Sequence, residues 1–261
     1  MTVRARLGSL VEWLPALVVG AAVIGLWQGL IVAFHVQQFL LPKPSSIAST
    51  FWSDRHELWP AGWYTMKEAL GGFAIGSGLG ILAATFVGRF KTLGTALMPI
   101  FIAANAVPIV AFAPIANAWF NPFSPHSKMA IAAVLCFLPV MVNTLRGLQS
   151  ARPRQIELMR SYAASELTIW RRVRIPTALP FVFTALKIAS VLAMIGAIVG
   201  EYFGGATNAL GVLINSDSQI FQFTRAWAGI LVASLLGIAL YLAVATAERA
   251  IVRWAPRTPG S

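Results

Sequence analysis

Long stretches without any charged side chain constrain this chain more than any other feature. Windows free of Asp, Glu, Lys and Arg cover residues 13–42, 69–88, 92–127, 129–145, 188–200 and 226–247. A helix needs roughly 20 apolar residues to cross the hydrocarbon core of a bilayer. The composition agrees, because 57% of the residues are hydrophobic, whereas about 45–50% are apolar in soluble domains. The sequence therefore predicts an all-α polytopic membrane protein.

Six membrane-spanning helices fit these windows once Lys187 is accepted inside the fifth. Their predicted bounds are 12–34, 69–88, 94–120, 128–146, 178–200 and 226–248. The first window could instead be a cleaved signal peptide, but its apolar stretch is longer than a signal's apolar core and no small-residue cleavage site follows it. Because we find no linker and no internal repeat, residues 1–261 are predicted to form a single transmembrane domain.

Basic residues are distributed unevenly between the segments that connect the spans. Six spans put both termini on one side, together with the loop at 147–175, and the net charge of +11 comes almost entirely from that side. Excess Lys and Arg in short loops marks the cytoplasm. We therefore expect both termini and 147–175 to be cytoplasmic, with 36–67 and 202–224 outside. The positive charge is a topology signal and does not indicate nucleic-acid binding.

The second and third predicted spans have distinctive small-residue and proline patterns. In the second, small residues recur every four positions and form one face, at which another helix can approach closely. They are Gly72, Gly76, Gly80, Ala84 and Gly88. The third contains Pro99, Pro108 and Pro114 and should be kinked or broken. Irregular backbone at membrane depth is tolerated where protein or a water-filled cavity covers it, which points weakly to a pathway.

Few polar residues fall within the predicted spans, and these are candidates for a pathway or gate. They are Asn105, Asn143, Lys187 and the boundary acid Glu201. A lysine at mid-membrane is costly and should face protein or water, although a helix that starts later would leave Lys187 near the inner surface. A membrane enzyme would need polar residues clustered at one depth, and a channel would need a polar ring. Both classes remain alternatives at this point.

No motif for catalysis or for a cofactor is found in the sequence. The phosphate-binding pattern G-x-x-x-x-G-K-[ST] does not occur. The histidines, at 35, 56 and 126, are too scattered for a metal site, and the single cysteine, Cys136, cannot form an internal disulfide. We therefore predict a non-catalytic chain that binds no cofactor itself.

The loop at 147–175 is unusually polar and is predicted to be helical. Ile156, Met159 and Ala163 fall on one helical face, and Pro153 suits the first turn of a helix. An amphipathic helix outside the membrane either lies on anionic lipid or docks into a groove of another protein. The mixture of charge signs and the small residues favour the protein groove.

The stretch ELMRSYAASELTIWRRVRIPTALP, residues 157–180, resembles the cytoplasmic loop signature of binding-protein-dependent ABC importer permeases. That signature is roughly E-A-A-x-x-x-G-x-S followed, about nine residues later, by I-x-L-P. Glu157 and Ser165 match its acid and serine, and Ile175 and Pro176 match its distal half. Ala163 stands where the family usually has glycine. Because alanine is the best helix former, we expect the helix to persist over 157–170.

Two further segments resemble the nitrate, taurine, alkanesulfonate and pyrimidine-precursor permeases of this family. LPKPSSI, residues 41–47, resembles their L-P-x-P-x-x-V entry. GEYFGGATNALGVLI, residues 200–214, resembles their E-x-x-x-x-x-x-x-G-L-G-x-L-I segment, with Ala209 in place of its first glycine.

This resemblance implies a type I importer permease of the bacterial inner membrane that carries a small organic or anionic nutrient. It also implies a two-fold pair of permeases, two cytoplasmic ATP-binding subunits that hold ATP and Mg²⁺, and an external solute-binding protein. In the family a helix of this loop sits in a cleft of the ATPase. The residues assigned to docking by the resemblance are Glu157, Met159, Arg160, Ala163, Ser165 and Pro176.

Overall fold

The computed structural model describes residues 3–90 and 108–254, together with residues 96, 99, 100 and 103; of residues 3–13 it describes the backbone alone. Its longer elements are all helices. In chain order they are α1 (Val3–Ala33), α2 (Pro44–Ser53), α3 (Arg55–Arg89), α4 (Ile109–Phe120), α5 (Pro125–Gln149), α6 (Pro153–Ser161), α7 (Glu166–Ile169), α8 (Ile175–Tyr202), α9 (Leu210–Gln219) and α10 (Phe223–Ile251). A π-helical turn, Trp170–Arg174, joins α7 to α8.

Five of the described helices are long and apolar enough to cross a membrane, which confirms the predicted all-α polytopic class. They are Leu14–Ala33, Arg55–Arg89, Pro125–Gln149, Glu166–Tyr202 and Phe223–Ile251. The predicted third span, 94–120, is described only in part, because most residues of 94–107 lie outside the described structure. Its continuous described part is α4, which contains Pro114 and has Pro108 as its N-cap.

The helices extend beyond the predicted spans, most of all in α3. This helix begins at Arg55 rather than near residue 69, so it takes in part of the predicted outside segment 36–67. The physical reason is that a charge-free window marks only the part of a helix that can lie in the hydrocarbon core, and the helix itself can be longer. Charged residues such as Lys67 and Glu68 end that window, but Lys and Glu are good helix formers and do not end the helix.

Contacts within the chain divide it into two compact units. The first comprises Met1–Trp59 and Ile214–Val232, and the second comprises Pro60–Leu213 and Ala233–Ser261. In the first unit, α1 contacts α2 through Gln28, whose Nε2 donates to Ser45 Oγ at 3.2 Å. The rings of Trp27 and Trp227 pack with centroids 5.4 Å apart, which joins α1 to the start of α10.

In the second unit, α5 packs closely along α8, and glycines permit the approach. A Cβ on Gly147 would lie 2.9 Å from the Cα of Ala178, and one on Gly196 would lie 2.7 Å from the Cα of Ala132. Real side chains do not tolerate such distances, so this approach of the two backbones requires glycine at both positions. Between these points, the buried Cys136 Sγ lies 3.2 Å from the carbonyl oxygen of Ala189.

α5 also packs against the small-residue face of α3. A Cβ on Gly76 would lie 2.8 Å from the Cα of Ala133, and one on Gly80 would lie 2.8 Å from the carbonyl oxygen of Phe137. Gly72 faces Ala132, Gly88 faces Leu148, and Ala84 is fully buried. All five predicted packing residues thus face α5, a helix of the same chain.

Candidate functional site

The segment after α5 forms a corner instead of the continuous helix predicted over 157–170. Ala163 has a left-handed backbone, with φ 53°, and it ends α6. Its N–H donates to the carbonyl of Arg160 at 2.9 Å, and the N–H of Ala164 donates to that of Met159 at 3.1 Å. This bond pattern is the Schellman motif, in which glycine usually occupies the left-handed position. The prediction that the helix persists was therefore wrong, since alanine adopts the turn despite the steric cost of its Cβ.

A second short helix follows the turn. Ser165 caps α7, because its Oγ accepts a hydrogen bond from the N–H of Thr168 at 3.3 Å. Arg160 reaches across the turn to Glu166, with Nη2 and Oε1 separated by 2.9 Å. In the part of the chain that the structure describes, Glu157 forms no ion pair. Pro176 lies beyond the corner, in the first turn of α8.

Apolar side chains on this corner point away from the rest of the protein. Tyr162 is 78% exposed, Leu167 is 61% exposed and Leu158 is 56% exposed, while Met159 is half-buried. We call the exposed segment from Pro153 to Ile169 the corner segment. A group of exposed apolar residues rimmed by charges is typical of a surface that contacts a partner.

Glu201 is a buried acceptor that joins three elements of the second unit. Its Oε1 accepts from the Thr65 hydroxyl at 2.7 Å, and its Oε2 accepts from the N–H of Gly211 at 2.7 Å. The Thr65 hydroxyl oxygen in turn accepts from the N–H of Leu210 at 3.1 Å. Thr65 and Glu201 thereby satisfy backbone donors in the first turn of α9, groups that have no partner within their own helix.

Two more ionisable residues are buried beside Glu201. Glu68 and Lys128 are 2% and 1% exposed; the Nζ of Lys128 donates to Ser127 Oγ at 3.0 Å and to the carbonyl of Pro122. The ammonium is near enough to both carboxyl groups to interact with them electrostatically. Sequence reasoning missed Glu68 and Lys128 because charges at window edges were assigned to connections. The sequence did contain a signal for this contact, because Glu68 and Lys128 carry opposite charges and lie at the outer ends of two predicted spans.

The other candidate gate residues make local or paired contacts. Lys187 Nζ lies 2.8 Å from Glu248 Oε2, and their side chains are only 15% and 23% exposed, so this lysine faces protein within its span. Asn143 Nδ2 donates to the carbonyl of Pro139 in its own helix at 2.8 Å. Asn105 lies outside the described residues. The structure therefore does not bring Lys187 together with Glu201, which pairs with Thr65 and Gly211.

In the first unit, Arg225 faces three carboxyl groups. Its Nε lies 3.3 Å from Asp54 Oδ2, its Nη1 lies 3.6 Å from Asp217 Oδ1, and its Nη2 contacts Glu57. Burial raises the pKa of Asp217, the Arg225 guanidinium opposes that shift, and the charges of Asp54 and Glu57 add to it.

Residues 76–253 match the family described as the binding-protein-dependent transport system inner membrane component. The chain belongs to this family. This permease is 31% identical over 230 residues to the riboflavin transport system permease protein RibX of Chloroflexus aurantiacus. The alignment covers 87% of this chain and 85% of that protein. It is 33% identical over 222 residues to the formylaminopyrimidine transport permease protein ThiX of Halalkalibacterium halodurans, covering 84% and 87%.

Solved transporters share the fold of this permease. An amino acid ABC transporter chain aligns with a TM-score of 0.59 at 16% identity, covering 78% of this chain and 96% of that one. An inward-facing MetNI methionine ABC transporter chain aligns with a TM-score of 0.57 at 22% identity, covering 79% and 97%.

Family membership confirms that the chain is a multi-pass inner-membrane permease subunit of an ABC importer and not a catalyst. ATP hydrolysis belongs to a separate subunit, and the family also implies a substrate-binding protein as a partner. These assignments replace the membrane-enzyme and channel alternatives.

Proposed function

We propose that this permease imports a small organic or anionic nutrient as half of a two-fold pair of identical chains. The observation that carries the solute class is the similarity to relatives named for riboflavin and formylaminopyrimidine transport across more than four-fifths of the chain. Further relatives are named for aliphatic sulfonates, taurine and nitrate. These solutes are all small, and most of them carry negative charge or a polar ring.

The orientation follows from charge. We place both termini and residues 147–175 in the cytoplasm and residues 36–67 and 202–224 outside, because the first group carries most of the Lys and Arg. Single cysteines at Ser46 and Arg160, in a Cys136→Ser background, test this. An impermeant thiol reagent added to intact cells should label the Ser46→Cys protein only, and labelling of Arg160→Cys would contradict the orientation.

The corner segment is the proposed docking surface for the cytoplasmic ATPase. It exposes Leu158, Tyr162 and Leu167 together with an unpaired carboxylate at Glu157, and nothing in its own chain covers them in the described structure. Apolar side chains that are exposed in the free subunit stabilise a complex when a partner buries them. ATP and Mg²⁺ belong to that partner, and no cofactor is assigned to this chain.

The experiment is co-purification of the ATPase with permease variants, followed by hydrolysis stimulated by the loaded binding protein in liposomes. Glu157→Lys and Leu158→Asp should insert normally and lose ATPase binding, since each puts an unfavourable charge into the interface. Thr207→Lys is the matched control, because it adds a charge to the exposed α8–α9 connection and should behave as wild type. Wild-type binding and hydrolysis by both corner variants would remove the docking assignment.

The solute is tested separately in the same liposomes, with the binding protein encoded beside this gene. ATP-dependent uptake of riboflavin, a pyrimidine precursor, taurine or nitrate is the expected result. Uptake only of a large or cationic solute would contradict the solute class and leave the docking result unaffected.

A further inference from the structure

Five arginines gather at one end of the second unit, where three packed helices begin or end. Gly88 at the end of α3 packs on Trp170, with a Cβ 3.6 Å from the indole Cη2, and Gly147 at the end of α5 packs on Ala178 of α8. The same ends therefore bring together the arginines that we call the arginine cluster. They are Arg89, Arg146, Arg171, Arg172 and Arg174.

This cluster has positive charge without compensation. Among the described residues none of its members forms an ion pair, since nearby Glu166 is paired with Arg160 and Glu248 with Lys187. Four of the five side chains are exposed. The guanidinium of Arg174 lies over the Trp170 ring, 5.5 Å from its centroid, and its buried Nε has no acceptor in the described structure. An anion at the cluster would satisfy this buried donor and neutralise the surrounding positive charge.

The backbone at the cluster is also unusual. Arg171, Arg172 and Arg174 lie on the π-helical turn, and π-helical turns are rare and are often found at functional sites. The turn places three guanidinium groups within five residues, directly before the apolar α8. The repulsion among these neighbouring positive charges would be reduced by an anion bound between them.

Exposed apolar side chains adjoin the cluster. Phe86 and Phe90, in and just after the last turn of α3, are 64% and 50% exposed and contact each other, and Ile175 at the start of α8 is 43% exposed. A molecule that fits both features has an anionic phosphate head and an acyl tail. We propose that the arginine cluster binds the phosphate headgroup of an anionic phospholipid, with its tail along Phe86, Phe90 and Ile175.

This site is distinct from the corner segment, because none of its five arginines lies between Pro153 and Ile169. Each basic side chain at an anionic membrane surface contributes about 1 kcal/mol, or roughly a fivefold factor in affinity. Removal of two arginines should therefore weaken lipid binding by roughly thirtyfold. Arginine suits the role because its planar fork donates two hydrogen bonds to one phosphate.

The test uses the full chain in nanodiscs made of phosphatidylcholine with increasing phosphatidylglycerol. We expect the thermal unfolding midpoint of the wild type to rise with phosphatidylglycerol and phosphatidylglycerol to remain bound in native mass spectrometry. Arg171→Gln/Arg172→Gln should lose most of both effects. Arg152→Gln/Arg154→Gln is the matched control, because it removes the same charge from exposed positions at the start of α6 that are not part of the cluster, and it should keep both.

Several outcomes would overturn the proposal. One is equal lipid retention by the cluster variant and the wild type; another is an equal loss in the control, which would mean a diffuse charge effect. If inorganic phosphate raises the midpoint as phosphatidylglycerol does, the site binds a free ion. If the cluster variant keeps its lipid response but loses the co-purified ATPase, the cluster is a protein contact. Should the double glutamine variant fail to fold, Arg171→Gln alone must still weaken retention by roughly fivefold.

Discussion

Thr65 Oγ1 and Glu201 Oε1 are 2.7 Å apart, so a hydroxyl in α3 holds the carboxylate that caps α9. Because the same hydroxyl accepts from the N–H of Leu210, its loss leaves that buried N–H without its acceptor and removes one hydrogen bond from the buried Glu201 carboxylate. We expect Thr65→Val to reduce the free energy of unfolding by about 1–3 kcal/mol.

Thr85→Val is the control for this change. It is the same substitution in the same helix, but the Thr85 hydroxyl donates only to the carbonyl of Ile81 in its own turn and is exposed. Thermal unfolding in detergent micelles should show a lower midpoint for Thr65→Val alone. Equal midpoints for the two variants would mean that Glu201 does not depend on Thr65.

Gly76 and Gly78 are two residues apart in α3, on different sides of the helix, and substitutions at them are predicted to have opposite effects. A Cβ at Gly76 would collide with the backbone of Ala133, whereas one at Gly78 has nothing within 4 Å. Gly76→Ala should destabilise the protein, because backbone cannot move aside as a flexible side chain does. Gly78→Ala should stabilise it by up to about 1 kcal/mol, the gain in helix propensity. Comparison of the two unfolding midpoints measures the difference, and a midpoint for Gly76→Ala above that of wild type would contradict the packing of α3 on α5.

Ala163→Gly is expected to stabilise the corner segment. The left-handed conformation costs an L-residue with a Cβ roughly 1–2 kcal/mol and costs glycine nothing comparable. Hydrogen exchange of the Ala164 N–H, which donates to Met159, should slow in the variant. Ala164→Gly, at a position that is not left-handed, should speed exchange in α6 because it only adds freedom to the unfolded chain. Faster exchange in Ala163→Gly would argue against the turn.

Acidification should affect the contact between Asp217 and Arg225. Because folding raises the pKa of Asp217, the folded state holds that proton more tightly than the unfolded state does. Its contribution to stability is therefore present below the ordinary pKa of aspartate and is lost as pH rises through the raised pKa. The stability of the wild type relative to Asp217→Asn should fall with rising pH.

Arg225→Met provides the complementary measurement. It leaves three carboxyl groups facing one another without a cation, so it should destabilise the protein at neutral pH and recover in acid, where carboxyl groups are protonated. Chemical unfolding across a pH series gives both curves. A pH-independent difference between wild type and Asp217→Asn would show that this carboxyl does not titrate with folding.

The long apolar helices could be predicted from the sequence because a charge-free window of about 20 residues marks a segment that can lie in the hydrocarbon core of a bilayer. The small-residue face from Gly72 to Gly88 could also be predicted, since a spacing of four residues places small side chains along one side of a helix. The turn at Ala163 could not be predicted, because the helix propensity of alanine favours a continued helix. The hydrogen bonds of the Schellman motif, which outweigh that preference, are seen only in the folded structure. Thr65, Glu68 and Lys128 were missed for a related reason, since each is ordinary at the end of a span until the fold brings it against Glu201.

Buried Glu68 also has a consequence for how the protein is made. The ribosome delivers α3 to the membrane before it has synthesised Lys128 or Glu201, so this carboxyl group meets the bilayer before its electrostatic neighbours exist. Insertion penalises an acidic residue most at the centre of a span, by about 2.5–3.5 kcal/mol, and Glu68, which borders the charge-free window 69–88, bears part of that cost. Until α5 and α8 emerge, the apolar residues of α3 alone offset that cost, and in a nascent chain arrested before α5 the Glu68 carboxyl group should remain in contact with water.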